Sequence, residues 1–256
     1  MVRHGGMGRV EGNLISGHAI AGVIVHDGGS PEVRDNRIMD CMGKGIDVYE
    51  SGLGVFHGNS VSGNAMDGVV VRTRGNPTVT SNNVYGNKGN GVYVFDGGKG
   101  VFEDNDVHDN ESSGLVIRSR GNPTLRRNKF HHGKKHGVYV YMEGRGVLDA
   151  NIIYENRQDG VCVKSGGDPT VSSNIVRDGR GKGVFVHDKG KGMFEGNDVA
   201  GNSGTGVTIA SGGDPMMSRN KITGNGGHGA CVDNGEGVLE GNVIDGNGGD
   251  GVHVKN

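Results

Sequence analysis

The chain has almost no net charge: 27 lysines and arginines face 29 aspartates and glutamates, giving −2 at pH 7. It therefore has no global field for nucleic acid or an acidic membrane, and nucleic acid is not an expected partner. Long apolar runs are also missing. No stretch approaches the length of a membrane span, so no membrane partner is expected either. The opening Met1-Val2-Arg3-His4-Gly5-Gly6 has no apolar segment of the kind a secretory leader needs. Tryptophan is absent and cysteine occurs only three times. No window shows helical periodicity.

Glycine is abundant, at 53 of 256 residues, and proline adds five. Without a period, such a composition would indicate disorder. A period is present. Asn13, Asn36, Asn59, Asn82, Asn105, Asn128, Asn151, Asn174, Asn197 and Asn220 follow one another every 23 residues, and Asn242 comes one residue early. Gly22-Val23, Gly45-Ile46, Gly68-Val69, Gly91-Val92 and Gly114-Leu115 keep the same beat, through to Gly251-Val252. A fixed short period without drift means stacked repeats.

Three apolar patches recur in each period. Val92 and Val94, or Val138 and Val140, alternate after the glycine. A second column runs Val33, Phe56, Val79, Phe102, Leu125, Leu148, Val171, Phe194, Met217, Leu239. A third lies two residues past each asparagine, at Ile15, Ile38, Val61, Val84, Val107, Phe130, Ile153, Val176, Val199, Ile222 and Ile244. Alternation with β-branched enrichment between Gly/Asn turns predicts strands. Three short strands per 23-residue coil predict an all-β fold: a right-handed, single-stranded parallel β-helix of about eleven coils, with an asparagine ladder at one bend. The five prolines, Pro31, Pro77, Pro123, Pro169 and Pro215, are 46 apart, and Gly54, Gly100, Gly146, Gly192 and Gly237 hold that position on the coils between. The duplicated unit is thus a pair of coils. Cys162 and Cys231 fall in one column three coils apart, roughly 14 Å, too far for a disulfide. Cys41 falls at a turn. Unpaired thiols fit a reducing compartment, and an intracellular location, cytoplasm or nucleus, is expected. Residues 1–256 read as a single solenoid with neither end capped. A slice of a longer protein, or ends that meet partners or each other, is expected.

If Val92 and Val94 point inward, Tyr93 and Phe95 point outward. The candidate binding strip is Tyr49, Arg72, Tyr93, Phe95, Arg118, Tyr139, Tyr141, Lys164, Phe185 and His187, with aromatic and cationic rungs alternating. It reads either as a self-stabilising cation–π ladder or as a flat strip for a peptide, a glycan or another extended ligand. Single-stranded nucleic acid fits the composition but not the charge.

No catalytic residue is assigned. Glu103, Asp149, Glu195 and Glu240 share an outer column, with Arg126 between two of them, and read as a solvated surface with cross-rung ion pairs. Gly227-His228-Gly229 resembles a polygalacturonase signature, but the upstream stretch Thr205-Gly206-Val207-Thr208-Ile209 holds no acid, and His228 reads as a turn histidine. His136-Gly137 occupies the same repeat position without a role. Asp168-Pro169 and Asp214-Pro215 do not begin the Asp-Pro-His-Glu motif of alginate epimerases, and the Trp-Ile-Asp-His pattern of pectate lyases is absent. The 11 histidines show no paired ligand spacing, so neither a metal nor a cofactor is expected.

The stretch Gly121-Asn122-Pro123-Thr124-Leu125-Arg126-Arg127-Asn128-Lys129, with Gly137-Val138-Tyr139-Val140-Tyr141 and Gly146-Val147-Leu148, resembles the repeats of F-box ubiquitin-ligase adaptors. Gly98-Lys99-Gly100-Val101-Phe102-Glu103-Asp104-Asn105-Asp106 is similar to the companion half of their paired repeat. The resemblance spans essentially the whole chain and extends to the wider group of carbohydrate-binding and sugar-hydrolase β-helix repeats. It implies a non-catalytic module that recognises a protein, with substrate recognition for a ubiquitin ligase as the sharper form. No F-box or zinc-binding module is present, so only the recognition role carries over. The competing expectation is a carbohydrate-binding or polyuronate-processing β-helix acting as a lyase, hydrolase or epimerase. A purely structural rod is the third.

Overall fold

The computed structural model describes residues 1–255, and among them every regular element is a strand. Each coil contributes one strand to each of three parallel sheets, and each sheet has 11 strands. Sheet B begins with Arg9–Glu11, sheet C with Leu14–Ser16 and sheet A with Ala21–Val25. Register follows the sequence period: Val79 pairs with Phe102, Val84 with Val107, and Val92 with Leu115. The missing residue falls between Asp233 and Glu236, because Ala210 still pairs with Asp233 whereas Met216 already pairs with Val238. Strand spacing of about 4.8 Å makes a rod on the order of 50 Å long.

The three predicted apolar columns form one continuous core. Phe56, Phe102, Phe130 and Phe194 are its largest fully buried side chains. The two-coil period has a packing cause. Gly100 has a φ of +119°, and a Cβ there would lie 2.9 Å from Pro77 O and 3.2 Å from Phe102 Cε2. Proline coils thus alternate with glycine coils, and the backbone freed by Gly54, Gly100 and Gly192 sits beside buried Phe56, Phe102 and Phe194. The regular glycine before each sheet A strand is also steric. At Gly91 a Cβ would lie 2.2 Å from Val107 Cγ1 and 2.8 Å from Asn110 Nδ2.

Two asparagine ladders close the bends. In the first, Asn59 donates its backbone N–H to Asn82 Oδ1 at 2.9 Å, while its own Nδ2 donates to Val33 O at 2.9 Å. The second was not anticipated. It runs through Asn64, Asn87, Asn110, Asn156, Asn202, Asn225 and Asn247; buried Cys41 donates its backbone N–H to Asn64 Oδ1 at 3.1 Å, placing it at the near end. Ladder residues follow a left-handed turn residue, as at Asp104 (φ 55°) and Asp109 (φ 51°), which swings the next amide inward. Stacked amides satisfy buried backbone groups that the bends take out of the sheets. The three cysteines are free thiols, as their column positions require.

Candidate functional site

Sheet A carries the predicted strip, and the structure brings its members into contact. Tyr93 and Phe95 lie with ring centroids 4.5 Å apart, Tyr139 and Tyr141 4.5 Å, and Phe185 and His187 4.1 Å. The cations sit over these rings. Arg72 is 4.0 Å from the Tyr49 centroid, Arg118 is 5.1 Å from Phe95, and Lys164 is 5.8 Å from Tyr139. Arg118 also donates to the Tyr93 hydroxyl. Burial pushes the Tyr93 and Tyr139 phenols up, against the opposing pull of Arg118 and Lys164 respectively. The cation–π ladder is therefore physically present, and it holds the aromatic side chains upright as half-buried ribs.

Between the ribs lies a slot. Tyr93 and Tyr139 are two coils apart, about 9.6 Å, and buried Val116 forms the floor between them. The resulting cavity is about 210 Å³, lined also by Asn90, Ser113, Lys135, His136 and Tyr141. Its polar end belongs to a third outer column, Lys44, Asp67, Asn90, Ser113, His136, Asp159, Lys182, Thr205, His228 and Asp250. Lys44 opens its sheet A strand, the others stand one glycine ahead of theirs, and several hold the next coil. Asn90 donates its N–H to Asp67 Oδ1 at 2.7 Å, and Lys182 donates its own to Asp159 Oδ1 at 2.9 Å. From Asn90 to His187 the three outward columns of sheet A carry Arg118, Lys164 and Lys182 against the single carboxylate Asp159, with Lys135, Asp96 and Asp188 at their edges. The strip is locally cationic on a chain of net charge −2.

The next space along, between Tyr139 and Phe185, gathers reactive groups. His136 Nδ1 lies 3.4 Å from Asp159 Oδ2, and Cys162 Sγ lies 3.7 Å from His187 Nε2. Burial works to raise the Asp159 carboxyl, but His136 and the Lys182 backbone outweigh it and hold the group below its ordinary value. Burial pushes the Cys162 thiol up to about 12 and pulls the His187 imidazole down. Ligand-bearing atoms of His136, Asp159 and Cys162 lie within 4.8 Å of one another, a proximity that spacing along the sequence did not reveal. In a solenoid, spatial neighbours are one coil apart in sequence, and spacing rules for hairpins and helices do not see them.

The other faces are occupied by their own contacts. On sheet C, Tyr85, His108, His131 and Tyr154 stack at 5.2, 5.0 and 4.4 Å, with Arg177 5.2 Å from the Tyr154 centroid. This second ladder was outside the predicted strip, and its ring faces cover one another. On sheet B, Arg126 lies 3.7 Å from Glu103 and 4.0 Å from Asp149, the exposed ion pairs expected of the carboxylate column. A cavity of about 400 Å³ on sheet B is larger, but it lies between exposed Met193 and Met216 and beside Glu195, which Arg219 already pairs. His228 Nδ1 accepts the Asp250 N–H at 2.9 Å, which is a turn role.

Comparison with known proteins places this architecture. A sequence profile of the right-handed β-helix region matches residues 1–72 and 67–217. A search of curated proteins returned no match. Among solved structures, the A-module of the Azotobacter vinelandii mannuronan C-5 epimerase AlgE6 superposes with a TM-score of 0.69 at 19% identity, covering 88% of this chain. This chain spans only 64% of that module's length. The periplasmic alginate epimerase AlgG gives 0.63 at 15% identity over 86% of this chain and 76% of its own. The Streptococcus pneumoniae surface protein and adhesin PfbA gives 0.52 at 9% identity over 95% and 91%. At such identities these likenesses establish the fold alone, and the adaptor reading rests on its repeat resemblance only. By its profile match, its three parallel sheets and its coil register, the chain belongs to the right-handed β-helix family.

Proposed function

We propose that this chain is a carbohydrate-active β-helix that holds an extended, uronate-bearing polysaccharide along sheet A. The observation that carries this reading is the slot over Val116, walled by Tyr93 and Tyr139. Aromatic ribs about 9.6 Å apart suit the apolar faces of sugar rings, and Asn90, Ser113 and His136 offer hydrogen bonds to hydroxyl groups. Arg118, Lys164 and Lys182 supply charge for carboxylates spaced along the polymer. The names of the alginate and mannuronan epimerases that share the fold point to the same substrate class.

A processing role is favoured by one further arrangement. Tyr139, whose phenol burial raises and Lys164 opposes, stands beside His136, with ring centroids 5.0 Å apart. A phenol that burial keeps protonated, beside an imidazole, can act as a proton donor to a bound sugar.

The test is calorimetric titration with oligomers of mannuronate, guluronate and galacturonate, beside a neutral glucan oligomer, at low and high salt. Products are followed by absorbance for unsaturated ends and by NMR for C5 inversion. Acidic oligomers should bind, weaken as salt rises and outcompete the neutral one. Absence of binding by any acidic oligomer would remove the glycan reading and return the strip to protein recognition.

A further inference from the structure

We propose that His136, Asp159 and Cys162 form a binding site on sheet A for one borderline-soft divalent cation, of the zinc or cobalt type. The three side chains come from two successive coils and present one nitrogen, one oxygen and one sulfur, all within 4.8 Å of one another. Metal–ligand bonds of about 2.0–2.3 Å in a tetrahedral site place ligand atoms roughly 3.3–3.8 Å apart. The 3.4 Å separation of His136 Nδ1 and Asp159 Oδ2 already has that length. The mixed N, O, S donor set selects against calcium and magnesium, which take oxygen shells.

Two further features point the same way. His136 Nδ1 is buried and meets no partner at full hydrogen-bonding geometry, the group facing it being Asp159 Oδ2 at 3.4 Å. The outer contacts hold the donors in a ligating pose. Asp159 Oδ1 accepts the Lys182 N–H at 2.9 Å, which leaves Oδ2 facing His136. His187 Nδ1 lies 3.0 Å from Asp188 Oδ2, which leaves its Nε2 directed toward Cys162 Sγ at 3.7 Å. His187 thus lies beside the sulfur donor of the cluster. Without an ion, burial keeps the Cys162 thiol protonated, so it is no free nucleophile; the cation would displace that proton.

The other cluster, His228, Asp250 and His253, lacks these properties. His228 Nδ1 already accepts the Asp250 N–H at 2.9 Å, His253 Nδ1 lies 2.8 Å from Asp250 Oδ2, and Asp250 is 62% exposed. Its donors are spent on one another.

The site does not depend on the glycan reading, and its test uses no polysaccharide. The metal-free, reduced chain is titrated with Co²⁺ and followed by absorbance. One equivalent should bind with tetrahedral visible bands and a near-ultraviolet thiolate-to-cobalt band, and Zn²⁺ should displace it. Cys162→Ser should abolish the near-ultraviolet band. His136→Gln and Asp159→Asn should each weaken binding by at least ~10-fold. Cys231→Ser and His228→Gln should change nothing. Failure of the unaltered chain to saturate at one equivalent overturns the site without relying on any variant. So does a thiolate band that survives Cys162→Ser.

Discussion

Replacing Asn128 by alanine lowers the stability of the rod by about 4–6 kcal/mol, more than any single surface change is expected to do. Asn128 is 1% exposed at the middle of the first ladder. Its Oδ1 accepts the Asn105 backbone N–H at 3.0 Å and the Asn105 side-chain amide at 2.8 Å. Its Nδ2 donates to Phe102 O at 2.9 Å and to Asn151 Oδ1 at 3.0 Å. Alanine leaves the Asn105 N–H buried without an acceptor, at about 1–3 kcal/mol, and removes three further bonds at about 1 kcal/mol each. In a chain of this size that corresponds to a fall in Tm on the order of 10 °C. The same change at Asn13, where the ladder is exposed, should cost under about 1 kcal/mol. Urea unfolding followed by circular dichroism compares the two. Equal effects at Asn13 and Asn128 would mean that the amide ladder does not hold the coils together.

Removing Tyr93 and Tyr139 together should weaken binding of an acidic oligosaccharide by about 100-fold while leaving the strand content unchanged. Each ring forms one wall of the slot, and a wall ring in contact with ligand behaves as a central aromatic anchor worth about 1.4–2 kcal/mol. Both side chains point away from the core, and neither belongs to the buried cluster. The double Tyr93→Ala, Tyr139→Ala variant should therefore fold. Tyr85→Ala, on sheet C, serves as the control and should bind as the unaltered chain does. Loss of less than about 3-fold in the double variant would place the ligand elsewhere.

Much of the fold was legible because one interaction repeats without drift. Asn36, Asn59 and Asn82 at equal spacing imply that each lies over the last, and the hydrogen bonds between them run between those residues. The apolar columns and the coil pairing followed from the same register. The second amide ladder was equally present in the sequence, but Cys41, Gly133 and Gly179 interrupt it, and the broken column hid the pattern. The site was less legible for a geometric reason. Asn90, Ser113, His136, Asp159 and Lys182 stand in the bend just before the strand, outside the alternation used to tell inward from outward residues. His136 and Cys162 are 26 positions apart, a separation without meaning until the coil is closed on itself. Tyr85, His108, His131 and Tyr154 stack for the same reason, each one coil beyond the last.

The most direct measurement is hydrogen–deuterium exchange on the chain with and without a saturating acidic oligosaccharide. Ligand seated on sheet A should slow exchange in the segments from Asn90 to His187 that form that sheet and its preceding bends, while leaving sheets B and C unchanged. Slowed exchange centred on sheet B or sheet C, or no slowing at all, would contradict the placement of the ligand in the tyrosine-walled slot.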